Sequence, residues 1–313
     1  MRAAWLAALV AAAAPPALAA PALRIQHAAV DIVVTPEDRP DIEVDVYRPS
    51  GRLPLSVWKR GDEVVIDGGL NGLFSSCHGS GEGLRALVFP RGDFALSEFP
   101  QVRVHAPMSL VIESAGIVHG SVTRSQALEI RHSSCGDWTV GNVADTLKAS
   151  VSGVGSVRTG AAQKADLSLS GAGHLAIGPV ATSLTAELSG TGDLTVRSAG
   201  ATDLSMSGSG RLKAGQISGP LSARLSGAGS LEVASLEGSL DVDVSGVGAV
   251  KVDGGHASDM RAQMSGAGRV VFGGVADRLN ADVSGVGVIE VAKVTGSVDQ
   301  HVSGVGSVKI GGR

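Results

Sequence analysis

Two thiols, two imidazoles beside them, a pair of aspartates and a ladder of serines are the groups in this chain whose types and spacing invite chemistry. Cys77 and Cys135 are the only cysteines among the 313 residues. His78 adjoins the first and His132 lies close to the second, so a Cys2His2 metal set is the first reading to weigh. Structural metal sites draw their ligands from short, paired spacings, and two thiols 58 residues apart fit none of them. No metal and no other cofactor is expected. Asp241 and Asp243 share a strand face, where glycoside cleavage would want two carboxyls facing each other across a cleft. Each has an arginine one repeat away (Arg261 and Arg224), and no neighbouring loop is long enough to wall a cleft. The glycines of "HGSGEG" mimic a phosphate-cradling loop, but no helix follows them.

The serines are the most regular feature. Ser-Gly-x-Gly begins at Ser152, Ser170, Ser189, Ser207, Ser226, Ser245, Ser265, Ser284 and Ser303, at intervals of 18 to 20 residues. A nucleophile would have to differ from its neighbours, and none of these does, so they are read as structural corners. No enzyme is expected. The alternative is a polysaccharide-acting lyase or hydrolase, since sugar-cleaving enzymes also use parallel β-helices.

A fixed period of this length marks a solenoid, in which one repeat is one coil that cannot bury its own apolar face. The residue before each Ser is Val, Leu or Met in all nine coils, and the fifth after it is Val, Leu or Ile. Between the apolar columns stand polar residues such as Asp166, Glu187, Asp203 and Asp241. That is the period of two of a half-buried strand. Paired glycines and the absence of 3.6 spacing exclude helix. Two glycines around one small residue supply a sharp bend through positive φ, and the Ser hydroxyl is expected to satisfy main-chain groups at the turn.

The calcium-binding nonapeptide repeat carries an Asp where these coils place Val, Leu or Ile, so that ligand set is missing. The outward columns lack the Thr rows of an ice-binding face. They do bring opposite charges together: Lys213, Glu232 and Lys251, then Glu290 and Lys309. The fold expected is all-β: a right-handed parallel β-helix with coils of about 19 residues and irregular β-rich N-terminal coils. Leu194 and Leu212 should then lie directly on one another.

Residues 1–20 read as a secretory signal peptide, with Arg2, an apolar run from Ala3 to Ala14, a proline pair and the small-x-small Ala17-Leu18-Ala19. The apolar run is too short to span a bilayer, so no membrane span is expected once it is removed. The formal net charge of −4 becomes more negative with the loss of Arg2. With no basic stripe, nucleic acid is not an expected partner. Residues 21–108 hold most of the aromatics and read as an irregular β-rich region or cap, and residues 109–313 as the β-helix repeats. From Val111 the repeat fades in, with Ser114 lying 19 before Ser133.

In an exported chain the two cysteines are expected to pair. Three regular coils would separate them by about 14 Å, so the bond requires the "GGLNGLFSSCHGSGEGL" loop to fold back over the corner at Cys135. The final coil shows no cap, and self-association is expected through it.

The nine corners, the lead-in "VRVHAPMSLVIESAG" and the leader together make the chain resemble the bacterial auto-transporter adhesin, head GIN domain family, from about Val102 to Arg313. The resemblance implies a right-handed β-helix in an exported protein. The expected role is an adhesin-like binding module or scaffold of the cell envelope, periplasmic or at the cell surface, with an envelope or surface protein or glycan as ligand.

Overall fold

The structure, a computed structural model, describes residues 20–311. All but the last residue of the segment read as a signal peptide lies outside this range. The described chain is a β-solenoid of about 11 turns spaced about 19 residues apart. Two short 3-10 turns, Gly81–Gly83 and Leu96–Glu98, are the only helical segments among the described residues.

Each coil contributes a strand before its corner and a strand after it, and each stacks in parallel on its counterpart in the next coil. On the first face, Leu147 lies on Ala165, Leu184 on Thr202 and Leu240 on Met260. On the second, Leu175 lies on Leu194, Leu194 on Leu212 and Leu212 on Leu231. The apolar columns of the sequence therefore become one continuous core, running from Leu23 to Val291. Parity does the sorting, because neighbouring side chains along a strand point to opposite faces. Outside, Lys213 meets Glu232 at 2.9 Å, and Glu290 meets Arg269 at 2.9 Å and Lys309 at 3.9 Å. Asp241 is in register with Arg261 and Arg224 with Asp243. The Arg224 guanidinium nevertheless turns the other way along the stack, to Asp203 at 3.2 Å.

The corners correct one expectation. Their glycines do not have positive φ. They are required because successive coils touch there. A Cβ on Gly171 would lie 2.0 Å from the Gly153 carbonyl oxygen, and one on Gly190 would lie 2.0 Å from that of Gly171. Main-chain pairing runs straight through the bend: Ser170 N–H donates to Val151, Ala172 N–H to Gly153 and His174 N–H to Gly155. With the main chain already satisfied, the nine Ser side chains stand exposed. Among the described residues their hydroxyls make no hydrogen bond to protein, so the capping role expected of them is not observed.

Toward the N-terminus the periodicity breaks. Ala22–Glu37 lies directly on Ser109–Val122, although 71 residues of chain separate them. The intervening chain supplies Glu63–Asp67 and Gln101–Pro107, which add a further rung on both faces. Two antiparallel strands, Ser56–Arg60 and Glu43–Arg48, then close the stack. A separate three-stranded antiparallel sheet, Phe74–His78, Arg85–Val88 and Gly92–Ala95, packs on the corner side. Its core of Leu53, Leu70, Leu84, Val88, Phe94 and Phe99 seats against Ala29 and Ile117 of the solenoid.

Candidate functional site

Cys77 lies on the first strand of the small sheet and Cys135 on a degenerate corner of the solenoid. They form a disulfide with Cα atoms 6.5 Å apart. The loop folds back as its spacing demanded, and the sulfurs are committed to each other rather than to a metal. Among the described residues no cluster of His, Cys, Asp or Glu is arranged to hold a metal ion.

Beneath this bridge lies a polar knot that sequence reasoning missed. The stack pairs Ser114 with His132, and His132 with Val151. Both therefore occupy the inward column that precedes the corner, and the spacing of 19 that made Ser114 a corner serine is one residue out. Ser114 is 2% exposed and His132 1%. The Ser114 hydroxyl lies 2.8 Å from His132 Nδ1 and accepts the Trp138 indole N–H at 3.1 Å. Trp138 has room because Gly120 lies beneath it: a Cβ there would be 2.4 Å from the ring. Alongside, the Asp137 carboxylate accepts the Gly81 main-chain N–H at 2.5 Å and the Ser156 hydroxyl. The same aspartate thus ties a second point of the small sheet's loop to the solenoid.

Ser, His and Asp side by side invite comparison with a nucleophile and its base. Here the hydroxyl and the imidazole are both sealed from solvent, and His132 Nε2 is buried without a partner. Burial holds its pKa down at about 4, against a smaller upward pull from Asp137. A buried, neutral imidazole held by Ser114, whose hydroxyl also takes the Trp138 N–H, is a packing element, with no route for a substrate to reach it. His119 is shifted the other way, upward, chiefly by its hydrogen bond to Asp31 at 2.8 Å. The sequence signal for the knot was the corner at Cys135, where Asp137 and Trp138 depart from the Ser-Gly-x-Gly pattern.

Outside the knot, the first face carries a chain of ion pairs across neighbouring strands. Arg24 bridges Glu63 and Glu113 at 2.9 Å each, and Arg131 bridges Glu113 and Glu129. Arg24, Gln26, Glu113, Arg131 and Ser133 line a shallow groove of about 370 Å³ here. Three aromatic rings ring the same end of the molecule: Trp58 is 43% exposed, Tyr47 41% and Phe89 69%. Arg103 stacks over Tyr47 at 4.1 Å. In the regular coils the one aromatic, Phe272, is buried. Asp241 and Asp243 line a smaller, open groove with Arg224 and Arg261. They are flanked by cations on both sides rather than facing each other across a cleft.

These features define a class: a rigid parallel β-solenoid whose exposed aromatic rings gather at an irregular, disulfide-tied head. Residues 96–215 and again 202–313 match the family described as auto-transporter adhesin, head GIN domain. The chain belongs to that family. Residues 20–95, with most of the head, lie outside the match. No curated protein and no solved structure matches the chain. No helix among the described residues is long and apolar enough to cross a membrane.

Proposed function

We propose that the protein is an exported, non-catalytic, adhesin-like binding module of the bacterial cell envelope, in which the coils are a stalk and the head meets the ligand. The observation that carries this reading is the segregation of exposed aromatic rings: Tyr47, Trp58 and Phe89 surround the head, while the large apolar side chains that the coils expose are aliphatic, chiefly corner valines such as Val154, Val247 and Val305. Aromatic and arginine side chains dominate recognition surfaces because they bury large area at low entropic cost. A disulfide fits an oxidising compartment, and the family description fits an exported or surface location. Exposed rings suit stacking on a ring-shaped ligand, and the Arg24, Glu113 and Arg131 groups suit a polar one, which makes envelope or surface glycans the first class to test.

The competing reading, a polysaccharide-acting enzyme, rests on Asp241 and Asp243 in their groove. A glycan panel separates the two. Retention of a glycan without release of product, weakened about tenfold or more in Trp58→Ala, is the expected result. Product formation that stops in Asp243→Asn would replace the binding module with the enzyme.

A further inference from the structure

The last rung of the first face, Val298–Val302, differs from all those before it in one inward residue. At the third place before the corner the coils carry Ala149, Leu167, Ala186, Leu204, Ala223, Val242, Ala262 and Ala281, and then Gln300. An amide buried beneath another apolar coil would cost roughly 1–3 kcal/mol without a partner. Gln300 therefore marks the place where the apolar column stops. Among the described residues no strand lies on the far side of this rung, and Val298 and Val302 are 43% and 42% exposed.

The rung's main-chain groups divide by parity. Ser303 N–H donates to Val283, and the Ser297 carbonyl accepts from Leu279, so the odd-numbered residues face the coil beneath. The N–H and C=O groups of Val298, Gln300 and Val302 consequently point to the open edge. Antiparallel pairing of this strand with a second copy of itself, about a two-fold axis at Gln300, uses all of them. Gln300 exchanges both hydrogen bonds with its twin, and Val298 exchanges both with the partner's Val302. Asp299 falls opposite the partner's His301, in the non-hydrogen-bonded positions where side chains approach most closely. The two Gln300 amides meet inside, where each satisfies the other, and the exposed valines cover one another.

We infer that the protein forms a two-fold symmetric dimer through the edge of Val298–Val302, joining two solenoids end to end with their heads at opposite extremities. The closed symmetry limits association to two copies. The sequence Val-Asp-Gln-His-Val is self-complementary only in this antiparallel register. The inference is independent of any ligand at the head.

Multi-angle light scattering and sedimentation of the full chain test it. Twice the chain mass, dissociating on dilution, is expected for the native protein. Gln300→Pro removes an N–H that faces only the open edge, and it should give a monomer that keeps the β-rich circular dichroism of the native chain. His301→Asp sets Asp against Asp, and should weaken the dimer about tenfold or more. The double exchange Asp299→His with His301→Asp rebuilds the opposite pairing and should restore it. A monomeric native chain at every concentration overturns the inference. So does a dimer that survives Gln300→Pro, or a double exchange that behaves no better than His301→Asp alone.

Discussion

At one end of the stack the chain doubles back on itself, with Ser56–Arg60 and Glu43–Arg48 running antiparallel and a small sheet held on by Cys77–Cys135. Through the remaining coils nothing doubles back, and each rung differs from the next mainly in its outward residues. Both regions contain fully buried apolar side chains, so the presence of a core does not distinguish them. What differs is the source of order. A regular coil is held by its neighbours alone, as in any one-dimensional array. The head is held by contacts that cross long stretches of chain, including the disulfide and the Gly81–Asp137 hydrogen bond. The buried polar side chains Ser114, His132 and Asp137 lie at the junction of the two regions, where Ser114 and Asp137 find hydrogen-bond partners.

The sharpest way to break this comparison is a charge in the middle of the array. Leu188 is buried between Leu169 and Met206. Leu188→Asp should cost about 5 kcal/mol or more. Hydrogen exchange should show the loss spreading through adjacent coils while the head keeps its protection. Equal loss in both regions would mean that they are one cooperative unit.

Cys135→Ser makes the reciprocal cut. It should lower stability by about 2–4 kcal/mol, and limited proteolysis should then open residues 68–95 first, leaving the coils intact. Indifference to this change would mean that the apolar contacts of Phe94 and Phe99 already suffice to hold the small sheet.

Acid gives the smallest and most specific effect. His132 is neutral when folded down to about pH 4 but takes a proton near 6.5 when unfolded. The unfolded state therefore binds more protons between these values, and stability falls as pH drops through that window, by up to roughly 3 kcal/mol. His119, whose folded pKa is raised, contributes with the opposite sign: its share is present at low pH and is lost as pH rises through its folded pKa. His132→Val should flatten the acid limb of a denaturation profile, whereas His119→Ala should leave that limb unchanged and remove a decline in stability above about pH 6.5. An acid limb unchanged in His132→Val would remove the knot from the account.

The legibility of the sequence followed the same division. Leu194 on Leu212 could be read directly, because identical environments repeated nine times average out local accident. The disulfide was readable as a requirement on a loop, since coil geometry made the regular alternative too long. The knot was not readable. Its register depends on where Ser114 falls after the break between residues 37 and 109, and a one-residue slip turns a corner serine into an inward one. The corner glycines were found for a mistaken reason. Sequence shows that a Cβ is excluded, but not whether backbone twist or a neighbour's carbonyl excludes it.

That last distinction has a consequence for how such a molecule changes over generations. Because every corner rests on the one before it, a whole coil can be duplicated or deleted and the junction still finds a glycine facing a carbonyl. Each such event would lengthen or shorten the rod by one strand spacing, about 4.8 Å. The distance between head and far end is then adjustable in discrete steps, without redesign of either extremity.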